Sequence, residues 1–197
     1  MSGDTPKSDT AMLELHLNSL SSGVPAITPR KAGVHMEACI WCLLECDHSN
    51  GAILTVDENG TCSKYKIYWP EADIDIEAIN RAYNKDDGPE QGAEAIAFLL
   101  IKERTDYTAI RRSITATGID YWLGYKIDSQ HQLFSRASAR LEVSAILRQT
   151  ATNNPKYRVQ TKLEQTKQSD YTSFPAYVVV VEFSQPLSKV TVRHAKH

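Results

Sequence analysis

Three acidic residues stand where a folded chain could bring carboxylates together: Glu94 in EQGAEAIAFLLIKERT, Asp120 in GID and Glu142 in LEVS. The text around the last two reads as strands, and adjacent strands can hold two carboxylates within the few ångströms a divalent cation needs. Oxygen-ligated Mg2+ takes one or two protein carboxylates and completes its shell with water and phosphate. The chemistry open to such a set is phosphodiester hydrolysis. Each residue also has a plainer reading. Asp120 could be a turn acid beside Gly118 at a strand end, and Glu142 an outward-facing residue paired with Arg140 or a cross-strand base.

A polar segment, NNPKYRVQTKLEQTKQSD, follows shortly after LEVS and reads as a helix, with Asn154 as a candidate cap and Pro155 at its first position. Arg158, Lys162 and Gln165 then fall at i, i+4 and i+7 and share one face. That face can look toward the strand ends or simply into solvent.

The remaining elements must position these groups. EQGAEAIAFLLIKERT is the clearest helix, with Ala93, Ile96, Ala97, Leu100 and Ile101 on one side and Pro89 in its first turn. YTAIRRSIT, GIDYWLGYKID and ARLEVSAILR are strand-like, and YVVVVEF has the continuous apolar character of a strand buried on both faces. Ahead of them DIDIEAINRAYN suggests a short helix. HMEACIWCLLEC, GAILTVDENG and TCSKYKIYW, separated by Asn-Gly at 50–51 and 59–60, read as an antiparallel meander over 34–69. Residues 1–33, rich in Ser, Thr, Pro and Gly, read as a flexible arm in which AMLELHLNSL could dock as a strand or short helix. The expected architecture is a single α/β (α+β) domain over 34–197, a mixed central sheet flanked by two main helices.

The order helix-borne Glu94, strand Asp120 in a G-x-D setting, strand Glu142, polar helix and apolar strand resembles the PD-(D/E)XK, or restriction-endonuclease-like, nuclease superfamily over 89–185. The resemblance lies in element order and motif placement. It implies that Asp120 and Glu142 bind Mg2+ or Mn2+, with Glu94 a supporting acid. The superfamily's usual Lys, two residues after the Glu, is here Ser144, which supplies no positive charge. By the same resemblance Lys162 would stand in for it from the neighbouring helix, with Arg158, Gln165, Ser144 and Arg140 toward the substrate. Nucleic acid is then the expected partner, and a subunit of a defence assembly the implied setting. The alternative is a non-catalytic nuclease-fold protein serving a protein partner or a second copy of itself, with Ser144 marking the loss of chemistry.

Bulk properties limit the other classes. At 197 residues, 42% hydrophobic and 23% charged, the chain can build one sizeable core. A formal net charge of −2 excludes nucleic-acid binding by bulk electrostatics, so a local basic face is required. Arg111, Arg112, Arg136, Arg140 and Arg148 are candidates for it. No run reaches the length of a membrane span, and MSGDTPKSDT lacks the order of a secretory signal, so a cytoplasmic protein without membrane contact is expected. Cys39, Cys42, Cys46 and His48 faintly suggest zinc ligands, but on a strand Cys39 would point away from the other two cysteines. His131 in the SQHQ loop could join a catalytic centre, although a loop histidine is usually just solvated. Tyr121, Trp122 and Tyr125 alternate between core and outer faces, and neither a G-x-S-x-G elbow nor a phosphate-binding glycine loop is present.

Overall fold

The computed structural model describes residues 12–126 and 137–195. Its centre is an eight-stranded mixed sheet of order β1-β3-β2-β8-β7-β6-β5-β4, made of β1 (Leu13–His16), β2 (Ala52–Glu58), β3 (Thr61–Tyr68), β4 (Tyr107–Arg112), β5 (Tyr121–Tyr125), β6 (Ala139–Ile146), β7 (Ala176–Glu182) and β8 (Leu187–Arg193). The pairs β1–β3, β2–β8 and β6–β7 are parallel and the others antiparallel. Four helices complete the α+β fold: α1 (Pro29–Glu45), α2 (Ile76–Ala82), α3 (Gly88–Arg104) and α4 (Pro155–Gln165).

Two of the sequence expectations are overturned. HMEACIWCLLEC is part of α1, not a strand of a meander. Thr28 caps the helix by accepting from the Lys31 N–H, Pro29 occupies the first turn, and Ala32, His35, Ala38, Cys39, Cys42 and Leu43 form a buried stripe at three- and four-residue spacing. Cys39, Cys42 and Cys46 therefore share a helical face rather than alternating, and all three are buried free thiols. The arm expected over 1–33 is also largely structured. Leu13–His16 pairs with β3, a 3-10 turn follows, and Leu15, Leu17, Leu20 and Val24 are buried.

The rest follows the local signals. Asn59 and Gly60 both take positive φ (53° and 91°) in the β2–β3 hairpin, as an Asn-Gly turn demands. Asn154 caps α4 by accepting from the Tyr157 N–H, with Pro155 following. Strand β8, which the sequence did not announce, pairs β7 on one side and β2 on the other.

Helices α1 and α3 cover one face of the sheet and α4 the other. Twelve residues of α3 are buried, so this helix is the hub of the larger core. It approaches α1 closely at Gly92, where a Cβ would lie 3.0 Å from the Cys39 Cα and 3.1 Å from the Ala38 carbonyl oxygen. On the opposite face Val159 and Leu163 of α4 pack on Ile146, Val178 and Val180. Val178 through Val181 are fully buried, Val179 and Val181 facing the α3 side, as a two-sided strand requires. Among the described residues no helix is long and apolar enough to cross a membrane.

Candidate active site

Strand β6 alternates strictly: Leu141 and Val143 enter the α1–α3 core, while Arg140, Glu142 and Ser144 face α4. Helix α4 runs antiparallel above that face in matched steps. Arg158 Nη1 donates to Ser144 Oγ at 3.3 Å, Lys162 Nζ to Glu142 Oε1 at 2.5 Å, and Arg140 Nη1 to the Thr166 carbonyl at 3.2 Å. Four helical residues advance about 6 Å and two strand residues about 6.7 Å. The two repeats thus stay in register over three rungs, and Lys162 is delivered to Glu142 by this geometry.

Asp120 arrives from the neighbouring strand. Pairing between β5 and β6 covers only Tyr121–Leu141, Trp122–Arg140 and Leu123–Ala139, so β6 runs on beyond β5. At the point of divergence the Asp120 N–H donates to the Leu141 carbonyl (2.9 Å) and Asp120 Oδ2 accepts from the Val143 N–H (2.8 Å). The preceding turn is held under the end of α4. Gly118 has φ +71°, and a Cβ there would lie 2.1 Å from the Gln165 carbonyl oxygen.

The two carboxylates are neighbours in a low-dielectric setting. Glu142 is 1% exposed and Lys162 17%. Burial first, then the Asp120 charge, push the Glu142 carboxyl up to about 8, although Lys162 opposes both. Glu142 Oε2 has no hydrogen-bond donor among the described residues. Two carboxyl groups close enough to share a proton, with the one ammonium on Glu142, repel each other whenever both are ionised. These are the features that a divalent cation between Asp120 and Glu142 would satisfy. Among the described residues no three His, Cys, Asp or Glu side chains converge. Such an ion would thus take two protein carboxylates and complete its shell from water and phosphate.

Glu94 reaches the site from the other face of the sheet. It is 6% exposed, the Tyr121 hydroxyl donates to it, and Asp120 is near enough for its charge to raise it. Burial pushes its carboxyl up to about 7. Behind it stands His35 of α1, fully buried, with Nδ1 3.1 Å from the Gln91 carbonyl and 3.3 Å from Glu94 Oε2. Burial lowers the imidazole to about 4, so it is neutral at neutral pH and Nδ1–H donates. His35 was missed as a site residue because it lies in the segment read as a strand. Its place on the buried stripe of α1 becomes visible once that segment is read as a capped helix.

Asp120, Glu142 and Lys162 are thus brought together, with Ser144 and Arg158 one rung further along, whereas Glu94 stays on the α3 side of the sheet, of these groups within reach of the Asp120 charge alone. Arg140 is not. Its fully buried guanidinium donates through both terminal nitrogens to Asp170, Ser169 and the Thr166 and Phe174 carbonyls, leaving Nε without an acceptor among the described residues, and Asp170 is shared with Arg193. The expectation that Arg140 faces substrate is corrected to a structural clamp. A cavity of about 500 Å³ beside Asp120 is lined by Arg112, Thr115, Gln165 and Gln168, and another of about 440 Å³ by Ser144, Arg148, Arg158 and Lys85. Arg111 is exposed on β4, and Tyr121 is core whereas Tyr125 packs at a 40° tilt against Tyr107 at the surface. His131 and Arg136 lie outside the described residues. Set against protein-family models, curated proteins and solved structures, the chain matches none.

Proposed function

We propose that the chain is a divalent-cation-dependent nuclease of the restriction-endonuclease-like, PD-(D/E)XK class, hydrolysing phosphodiester bonds at Asp120 and Glu142. The observation that carries this reading is the 2.5 Å contact of Lys162 with Glu142, beside an Asp120 that is near enough to raise it. The succession α3, β4, β5, β6, α4, β7, with β6 and β7 parallel, supports it by matching the element order of that superfamily. Ser144 at the usual Lys position then marks a relocation of the base and not its loss. The non-catalytic alternative would be favoured by acids that diverge, and these converge.

Asp120 and Glu142 would hold Mg2+ or Mn2+, which when bound supplies Lewis-acid polarisation of the phosphate and lowers the pKa of water. Glu142 Oε1 orients the Lys162 ammonium, and the ammonium opposes the negative charge that develops on phosphorus-bound oxygens. Val143 N–H fixes Asp120 Oδ2 and so sets the carboxylate's orientation. Glu94, protonated in large fraction near neutral pH, adds little to the repulsion between the other two acids.

The test is cleavage of single- and double-stranded DNA and RNA in Mg2+ or Mn2+ and in chelator, by the wild type and by Asp120→Asn, Glu142→Gln and Lys162→Met. Asn keeps an acceptor for Val143, so loss of cutting would report charge and not misfolding. Cation-dependent cutting that all three variants lose is the expected outcome. Equal cutting by folded variants, or none by the wild type, would refute the assignment.

A further inference from the structure

Helix α4 carries its site face past both cavities. Arg158 lines one, Gln165 lines the other, and Lys162, between them in sequence, sits on Glu142. Seven residues of helix span about 10 Å, the reach of a short nucleotide segment. Asp120 lines the cavity with Gln165, and Ser144, two residues beyond Glu142, lines the cavity with Arg158. The cavities therefore lie on the two sides of the carboxylate pair.

We infer that the site takes a single-stranded nucleic-acid segment laid along α4, with one flank in each cavity and the phosphate between them at Asp120 and Glu142. The inference rests on the nuclease reading and names the form of its substrate. Three observations carry it.

The acids are recessed: Glu142 is 1% exposed and Asp120 half-buried in its cavity wall. A phosphate must dip to reach them, which a flexible strand does freely and a stiff duplex only by deformation. The cations are few and local. Arg112 stands on one side and Arg158, Arg148 and Lys85 on the other, the last three sharing their wall with Asp86 and Glu90, while the whole chain carries −2. Arg148 and Lys85 already lie near Asp47 and Glu45. The cavity walls also offer Gln165, Gln168, Asn153 and Ser144, neutral groups suited to base edges and sugar hydroxyls.

The experiment is fluorescence anisotropy of a labelled ten-nucleotide strand, as DNA and as RNA, and of the matching duplexes, with wild-type protein in Ca2+ over a range of salt. With about four phosphate contacts, single-strand affinity falls roughly fifty-fold between 50 and 200 mM salt, a slope of about −2.8. Arg112→Gln and Arg158→Gln each reduce that slope by about 0.7, while Lys64→Gln, exposed on distant β3, leaves it unchanged. The two nucleic-acid arms decide between DNA and RNA. Duplex bound as tightly as the single strand, no binding of any strand, or Arg112→Gln behaving as Lys64→Gln would overturn the inference. Mg2+-dependent cutting is scored separately. Cutting that prefers duplex sinks this inference and leaves the nuclease reading, whereas strand binding without cutting does the reverse.

Discussion

Replacing Glu142 with Gln removes one titration from the core and almost nothing else. The Gln carbonyl can still accept from Lys162, and its amide can donate toward Asp120. In the wild type the folded chain keeps the Glu142 proton until about pH 8, whereas the unfolded chain releases it near 4.5. Through that interval the folded state binds more protons, so stability falls as pH rises. The contribution is complete below about 4.5 and gone above about 8. At roughly 1.4 kcal/mol per pH unit it amounts to on the order of 5 kcal/mol. Glu94, raised to about 7, works in the same direction. His35, lowered to about 4, works in the opposite one: its contribution is present above about 6.5 and lost as pH falls through about 4. Glu142→Gln leaves the terms from Glu94 and His35 in place. The variant and the wild type, unfolded in urea, should differ little at pH 4.5, and the variant should be more stable by several kcal/mol at pH 8.5. Curves that run parallel across this range, to within about 1 kcal/mol, would refute the account of Glu142 as a buried acid raised by burial and Asp120.

Lys162→Met takes from Glu142 its hydrogen-bond donor and opposing charge. Cleavage should fall by about 10²–10³ in kcat, and urea titration should show a larger loss of stability at pH 8.5 than at pH 5. Asp170→Ala leaves the fully buried Arg140 and its neighbour Arg193 without their shared carboxylate. It should destabilise by about 3–5 kcal/mol in denaturant, with specific activity of the folded fraction unchanged because Arg140 lies outside the site. Gly118→Ala combines a φ of +71° with a Cβ 2.1 Å from the Gln165 carbonyl oxygen. It should cost about 2 kcal/mol or more in thermal unfolding and weaken cation binding, read by calorimetry, because the turn that sets Asp120 must shift.

How much was legible depended on the range of the deciding interaction. The Asn-Gly hairpin, the Asn154–Pro155 helix start and the two-sided YVVVVEF strand are settled within a few residues, and each stands as read. HMEACIWCLLEC failed because a short apolar run fits a buried strand and a buried helix equally. The deciding signal, Thr28-Pro29, lies seven residues upstream in text taken for an arm. Strand β8 was invisible because LSKVTVR alternates weakly and owes its place to two partners distant in sequence. For the site, residue types and order pointed to Asp120, Glu142 and Lys162, and the fold sets Lys162 on Glu142 with Asp120 beside it. Arg140 misled because β6 parity places it on the same face as Glu142, and only the 3-10 turn after α4 shows that this rung is closed by Asp170.

That rung also fixes which residue of α4 meets Glu142. A helix lying antiparallel on a strand presents every fourth residue to every second strand residue, so the partner of position 142 is fixed by the partner of 140. The Arg140–Thr166 and Arg158–Ser144 contacts clamp the register at both ends, and the rung between them can only be Lys162 with Glu142. A Lys at 144 would bring a second cation to Arg158, which donates to Ser144 at 3.3 Å. Ser144 instead accepts from that guanidinium and leaves the α4 face one ammonium at Glu142.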